Sequence, residues 1–112
     1  KENCPDIRNS KVDDIIKELN TFGIKPVIVD PWANESDAMR EYGIELTKFE
    51  DVANADCVII AVAHNEFKSI SVNDIKKLYK EGSKDEEKVL IDVKGIYKID
   101  ELQKSGIRFW RL

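Results

Sequence analysis

The chain alternates between amphipathic stretches of helical period and short apolar runs, with polar or glycine punctuation between them. Val12, Ile15, Ile16, Leu19 and Phe22 recur at helical spacing behind Ser10, which reads as an N-cap with Asp13 in the first turn, and Gly23 stops this helix. Val27, Ile28 and Val29, set between Pro26 and Asp30-Pro31, predict a buried parallel strand. Asn34 opens a second helix through Ala38, Met39 and Tyr42, closed by Gly43, after which Ile44 and Leu46 give a minor extended segment or a loop. The run 57–63 is the most apolar in the chain and lacks alternation, which predicts a central strand covered on both faces. Ser71 and Asp74 repeat the capping signal, Val72, Ile75, Leu78 and Tyr79 supply the apolar stripe, and Gly82 ends that helix. A solvated connection over 83–87 leads to a strand over 89–93, a short helix over 99–105 ended by Gly106, and an edge-like strand over 107–110.

Strands separated by helices describe an α/β fold, here a Rossmann-like, doubly wound open sheet, mostly parallel, with helices on both faces. A helix capped at Ser10 should follow a strand, yet no apolar run precedes it, so the first strand of such a sheet is expected to be missing from this chain. With 112 residues, 42% of them hydrophobic, the chain suits a single domain over 1–112.

Charge narrows the function classes. Charged residues make up 36% of the chain and are mixed in sign, and the net charge of −4 gives no basic surface for nucleic acid. No apolar run reaches the roughly 20 residues of a membrane helix, and no leader pattern opens the chain. A protein with no membrane partner and a cytoplasmic location is the expectation. Cys4 and Cys57 form no CxxC pair and no metal-ligand spacing with His64, so no metal site is expected and Cys57 reads as a small core residue.

In an open α/β sheet, ligands bind at the carboxyl ends of the strands, and polar residues gather at four such places. The opening segment carries Lys1, Asp6, Arg8 and Ser10 ahead of the first helix, where unpaired amides and two cations favour a phosphate. Asp30-Pro31-Trp32 offers an aromatic that packs under a nucleotide or plugs the sheet edge. His64, at the mouth of the 57–63 strand, suits a general acid/base or a hydrogen-bonding loop residue. Asp92-Val93-Lys94-Gly95 places a lysine just beyond a buried strand, where it would meet a ligand or an internal ion pair. No nucleophile–base pair, paired carboxylates, P-loop or GxGxxG is present, so the residues by themselves describe a binding domain and not a complete enzyme.

The opening segment resembles the Phe-Lys-x-x-x-x-Asp-x-Arg-x-Ser signature of the C-terminal domain of the UDP-glucose/GDP-mannose dehydrogenase family, with the phenylalanine falling just upstream of Lys1. The resemblance continues through Val29-Asp30-Pro31-Trp32, Glu41-Tyr42-Gly43-Ile44, Ala61-Val62-Ala63-His64, Asp92-Val93-Lys94-Gly95-Ile96 and Trp110-Arg111-Leu112. The chain looks most like the branch acting on UDP-N-acetylhexosamines. The resemblance implies a three-part NAD-dependent 6-dehydrogenase, in which an N-terminal domain binds NAD, a central helical region forms a homodimer and supplies the catalytic cysteine, and the C-terminal domain holds the UDP part of the UDP-sugar. Only the third part would be here, inactive alone, and neither Cys4 nor Cys57 matches the catalytic cysteine.

Carried over by position, the resemblance makes Lys1 and Lys94 substrate-binding and lets Arg8 reach the NAD pyrophosphate. Asp6, Ser10, Asp30 and Asp92 would orient loop backbone and basic side chains, Trp32 and His64 would support the site, and no metal is implied. A competing reading on the same sheet plan is a receiver-like signalling module with Asp30 as phosphoacceptor and Lys94 as the charged sensor.

Overall fold

A computed structural model describes Asn3 and residues 11–112. The described residues fall into two compact units, residues 11–52 with Asn3, and residues 53–112.

In the first unit the helical pattern forms α1 over Lys11–Thr21, with Asp13 and Ile16 on its buried side. Asp13 is 8% exposed and is paired with Lys17 one turn on at 2.8 Å, the spacing at which helix side chains face one another. Gly23, at φ +76, ends the helix, and the Ile24 N–H returns to the Leu19 carbonyl. α2 over Glu35–Tyr42 is capped as its sequence predicts: the Asn34 side chain accepts from the Asp37 N–H at 3.1 Å, and Gly43 closes it in the left-handed region. The strand expected over 27–29 is not formed. Ile28 makes one isolated parallel bridge with Leu46, so the minor segment after α2 pairs for a single residue, and Val27 is 65% exposed.

The second unit is built on a three-stranded open sheet in the order β1-β2-β3, with β1 at Cys57–Ile60, β2 at Val89–Asp92 and β3 at Arg108–Arg111. Both pairings are parallel, and the register aligns Ile60, Asp92 and Arg111 across the sheet. Parallel neighbours need a crossover, and each here contains a helix. Between β1 and β2 come α3 over Asn65–Lys68 and α4 over Val72–Lys76, and between β2 and β3 comes α5 over Ile99–Ser105. Leu90 of the middle strand, Leu102 of α5 and Ile75 of α4 are almost wholly buried. Each such side chain contributes about 1.5–3 kcal/mol by leaving water.

Two expected elements are shorter than their apolar patterns. β1 ends at Ile60 because its ladder partner β2 ends opposite it at Asp92, leaving residues 61–63 no strand to pair with. Among the described residues β1 pairs with β2 alone, so it is a sheet edge where a central strand was expected, and Ile59 is 37% exposed. α4 stops at Lys76, although Leu78 and Tyr79 are buried as its stripe predicts. Their backbone is taken by Ala55 instead: the Ala55 N–H donates to Leu78, and the Lys80 N–H donates to Ala55.

Polar contacts close the end of the unit where β2 begins. Lys76 donates to Asp85 at 3.0 Å and to the Ser105 carbonyl at 2.7 Å, joining α4 to the end of α5. Lys88, 8% exposed, donates to the Ser83 carbonyl at 2.7 Å and lies 3.4 Å from the other Asp85 oxygen. The solvated connection is thus a 3-10 turn at Asp85–Glu87 with Asp85 bridging two lysines. Among the described residues no helix is long and apolar enough to cross a membrane.

Candidate functional site

Three parallel strands deliver their carboxyl ends to one rim, and the residues that follow them are His64 after β1, the turn at 93–95 after β2, and Arg111 at the end of β3. The rim is tied together by backbone: the Val93 N–H donates to Ile60 at 3.0 Å, and the Leu112 N–H donates to Asp92 at 3.3 Å.

The turn after β2 is the most completely held part of it. The Gly95 N–H donates to the Asp92 carbonyl at 3.3 Å, closing a four-residue turn with Val93 and Lys94 at its tip. Asp92 is fully buried, and its carboxylate accepts the N–H groups of Ile96 and Tyr97, each at 3.0 Å. A buried carboxylate needs such donors, and two backbone amides supply them. Lys94 at the tip is exposed.

Arg111 holds the turn from its carbonyl side. Its Nε donates to the Tyr97 carbonyl at 2.9 Å and its Nη2 to the Gly95 carbonyl at 3.3 Å. A Cβ on Gly95 would lie 3.1 Å from the guanidinium carbon, and the backbone there has φ +66, so glycine satisfies both the close approach and the left-handed conformation. Tyr97 anchors the far end, donating from its hydroxyl to the Ile70 carbonyl at 2.6 Å, and burial pushes its phenol well above the ordinary tyrosine range.

His64 is 1% exposed, precedes α3 as its N-cap residue, and packs its ring against Phe67 at a centroid distance of 5.4 Å. The ring is thus buried against Phe67. Cys57 is exposed, not the small core residue its apolar run suggests, because it opens an edge strand; partial desolvation and then the Asp56 carboxylate raise its thiol above the ordinary value, the opposite of what a nucleophilic thiolate needs. Among the described residues no three His, Cys, Asp or Glu side chains gather to hold a metal ion.

Of the residues singled out in the sequence, His64, Asp92 and Lys94 therefore follow or end paired strands at one rim. Asp30 and Trp32 belong to the first unit, where one Asp30 oxygen accepts the N–H groups of Trp32 at 2.9 Å and Ala33 at 3.2 Å. Lys1, Asp6, Arg8 and Ser10 lie outside the described residues. The first unit also has a hollow of about 350 Å³ lined by Glu35, Ser36, Met39, Ile44, Glu45 and Leu46; two carboxylates and, among the described residues, no cation make it unsuited to an anion. Sequence reasoning passed over Arg111 and Tyr97 as parts of the site. The signal available for Arg111 was its place at the end of the last strand, since in a parallel sheet that end shares the rim with Lys94.

Known proteins resemble this chain over most of its length. UDP-N-acetyl-D-glucosamine 6-dehydrogenase of Pseudomonas aeruginosa is 45% identical over 108 residues, which cover 96% of this chain and 24% of that protein. The Salmonella typhi protein of the same name is 42% identical over 76 residues, 68% of this chain and 18% of the relative. UDP-N-acetyl-D-mannosamine dehydrogenase of Methanococcus vannielii is 32% identical over 109 residues, 96% of this chain and 23% of the relative. The chain thus spans about a quarter or less of the length of these relatives. Residues 1–99 match the UDP binding domain of the UDP-glucose/GDP-mannose dehydrogenase family, and the chain belongs to that family.

Proposed function

We propose that this chain is the UDP-gripping part of an NAD-dependent 6-dehydrogenase that oxidises the C6 alcohol of a UDP-N-acetylhexosamine to a carboxylate for surface polysaccharide synthesis. The observation that carries the reading is the turn at 93–95, which presents Lys94 at the ligand-binding rim of a parallel sheet on a backbone fixed by Asp92. A lysine held there supplies a positive charge to a pyrophosphate, though without the bidentate fork of an arginine. Lys1 would add a second substrate contact and Arg8 would reach the cofactor; Asp6 and Ser10 would orient the opening segment, Asp30 and Asp92 their own turns, and Trp32 and His64 would each be a supporting residue.

NAD would supply the hydride acceptor. What this chain offers it is the Arg8 guanidinium, whose planar fork suits a pyrophosphate; the remaining contacts, the catalytic cysteine and the homodimer interface would belong to other domains of a longer polypeptide, as the length of the relatives suggests. The receiver-like alternative loses its basis with the family match, and its proposed acceptor, Asp30, caps its own turn.

The reading is tested by incubating the full-length protein that carries this chain with UDP-N-acetylhexosamine and NAD and following NADH absorbance. An alcohol becoming a carboxylate loses two hydrides, so two NADH per sugar are expected. Absence of NADH formation with all UDP-hexoses and UDP-N-acetylhexosamines would overturn it.

A further inference from the structure

We propose that Arg111 is a positioning residue for Lys94, acting through the turn at 93–95 and not as a ligand of the nucleotide. The inference rests on the reading of Lys94 as a UDP contact. A lysine has a long, rotatable stem, so the region its ammonium can sample is set by where the backbone places its Cα. Here that backbone is held on both chemical sides. Asp92 takes the N–H groups of Ile96 and Tyr97, while Arg111 gives to the carbonyls of Gly95 and Tyr97 from two different nitrogens.

The guanidinium is committed to that task by its placement. It lies flat over Gly95, with its carbon and Nη2 each 3.1 Å and Nε 3.3 Å from the position a Cβ would take. Two carbonyls served by two nitrogens of one planar group is a geometry that an ammonium cannot reproduce. Leu112, the next residue, donates its N–H to Asp92, so the end of β3 is fastened to the same strand end that launches the turn. Removing Arg111 would leave both carbonyls without this donor and free the Gly95 side of the turn.

The test is a double-mutant cycle in the full-length protein, with the dissociation constant of UDP measured by calorimetry. Arg111→Ala is expected to weaken UDP about ten-fold, and Arg111→Lys, which keeps the charge but not the fork, to remain similarly weak. In a Lys94→Ala background, Arg111→Ala should add less than about a two-fold change, because its effect passes through Lys94. If Arg111→Ala does not fold, Arg111→Lys gives the same comparison in both backgrounds. Full additivity, rescue by Arg111→Lys, or unchanged affinity in Arg111→Ala would overturn the proposal while leaving the Lys94 reading intact. A Lys94→Ala variant with unchanged UDP affinity would overturn both.

Discussion

Asp92 and Arg111, register partners on adjacent parallel strands, share the backbone of Tyr97: its N–H goes to the Asp92 carboxylate at 3.0 Å and its carbonyl receives the Arg111 Nε at 2.9 Å. One peptide segment is thus gripped by an acid and a base that need not touch each other. The charges of the pair go into holding a loop that carries the exposed Lys94 at its tip.

Asp92→Asn tests this grip from the acidic side. One carboxylate oxygen takes each N–H, so an amide would turn a donor toward a donor at one of the two positions. A loss of about 1–3 kcal/mol in urea unfolding is expected, as for a buried group left without its partner. An unchanged midpoint would mean that the two hydrogen bonds contribute little to the fold.

Gly95→Ala should act on both stability and binding. The new Cβ would meet the guanidinium at 3.1 Å and hold an L-residue at φ +66, a conformation that costs roughly 1–2 kcal/mol. Thermal unfolding should fall accordingly, and UDP affinity should fall with it; a variant as stable and as tight as the parent would show that the turn does not need glycine.

Acid stability should depend on Asp85. Its hydrogen bond from Lys76, and after it the contact with Lys88, hold the carboxyl below the ordinary aspartate range against an opposing effect of burial. A group with a depressed folded value stabilises the protein above its unfolded value, and that contribution is lost as pH falls through the folded one. Urea midpoints taken from about pH 6 down to about pH 2 should therefore fall below about pH 4, and Asp85→Asn should flatten part of that fall. An identical acid profile in the variant would remove Asp85 from the account.

Much of this was legible in the chain because local signals and tertiary demands agree. α5 occupies the 99–105 span read from its apolar spacing and Gly106, and α2 has the Asn34 and Gly43 caps expected of it. The parallel sheet and the edge position of β3 follow the same way. Failures occur where a neighbour, and not the segment itself, decides the outcome. The apolar run from Cys57 outlasts its partner strand, Leu78 and Tyr79 give up helix for a bridge to Ala55, and the single turn of α3 is too short to show a period. At the site, the lysine and aspartate were visible as polar residues closing a strand, whereas the role of Arg111 depends on its register opposite Asp92, which only the paired strands display.

Whether Lys94 meets the phosphates of a uridine nucleotide is decided by the affinity of wild type and Lys94→Ala for UDP and for uridine in the full-length protein. Loss of a charge-assisted contact should weaken UDP roughly ten- to a hundred-fold and leave uridine unchanged. Equal UDP affinity in the two proteins, or an equal loss for uridine, would contradict the account.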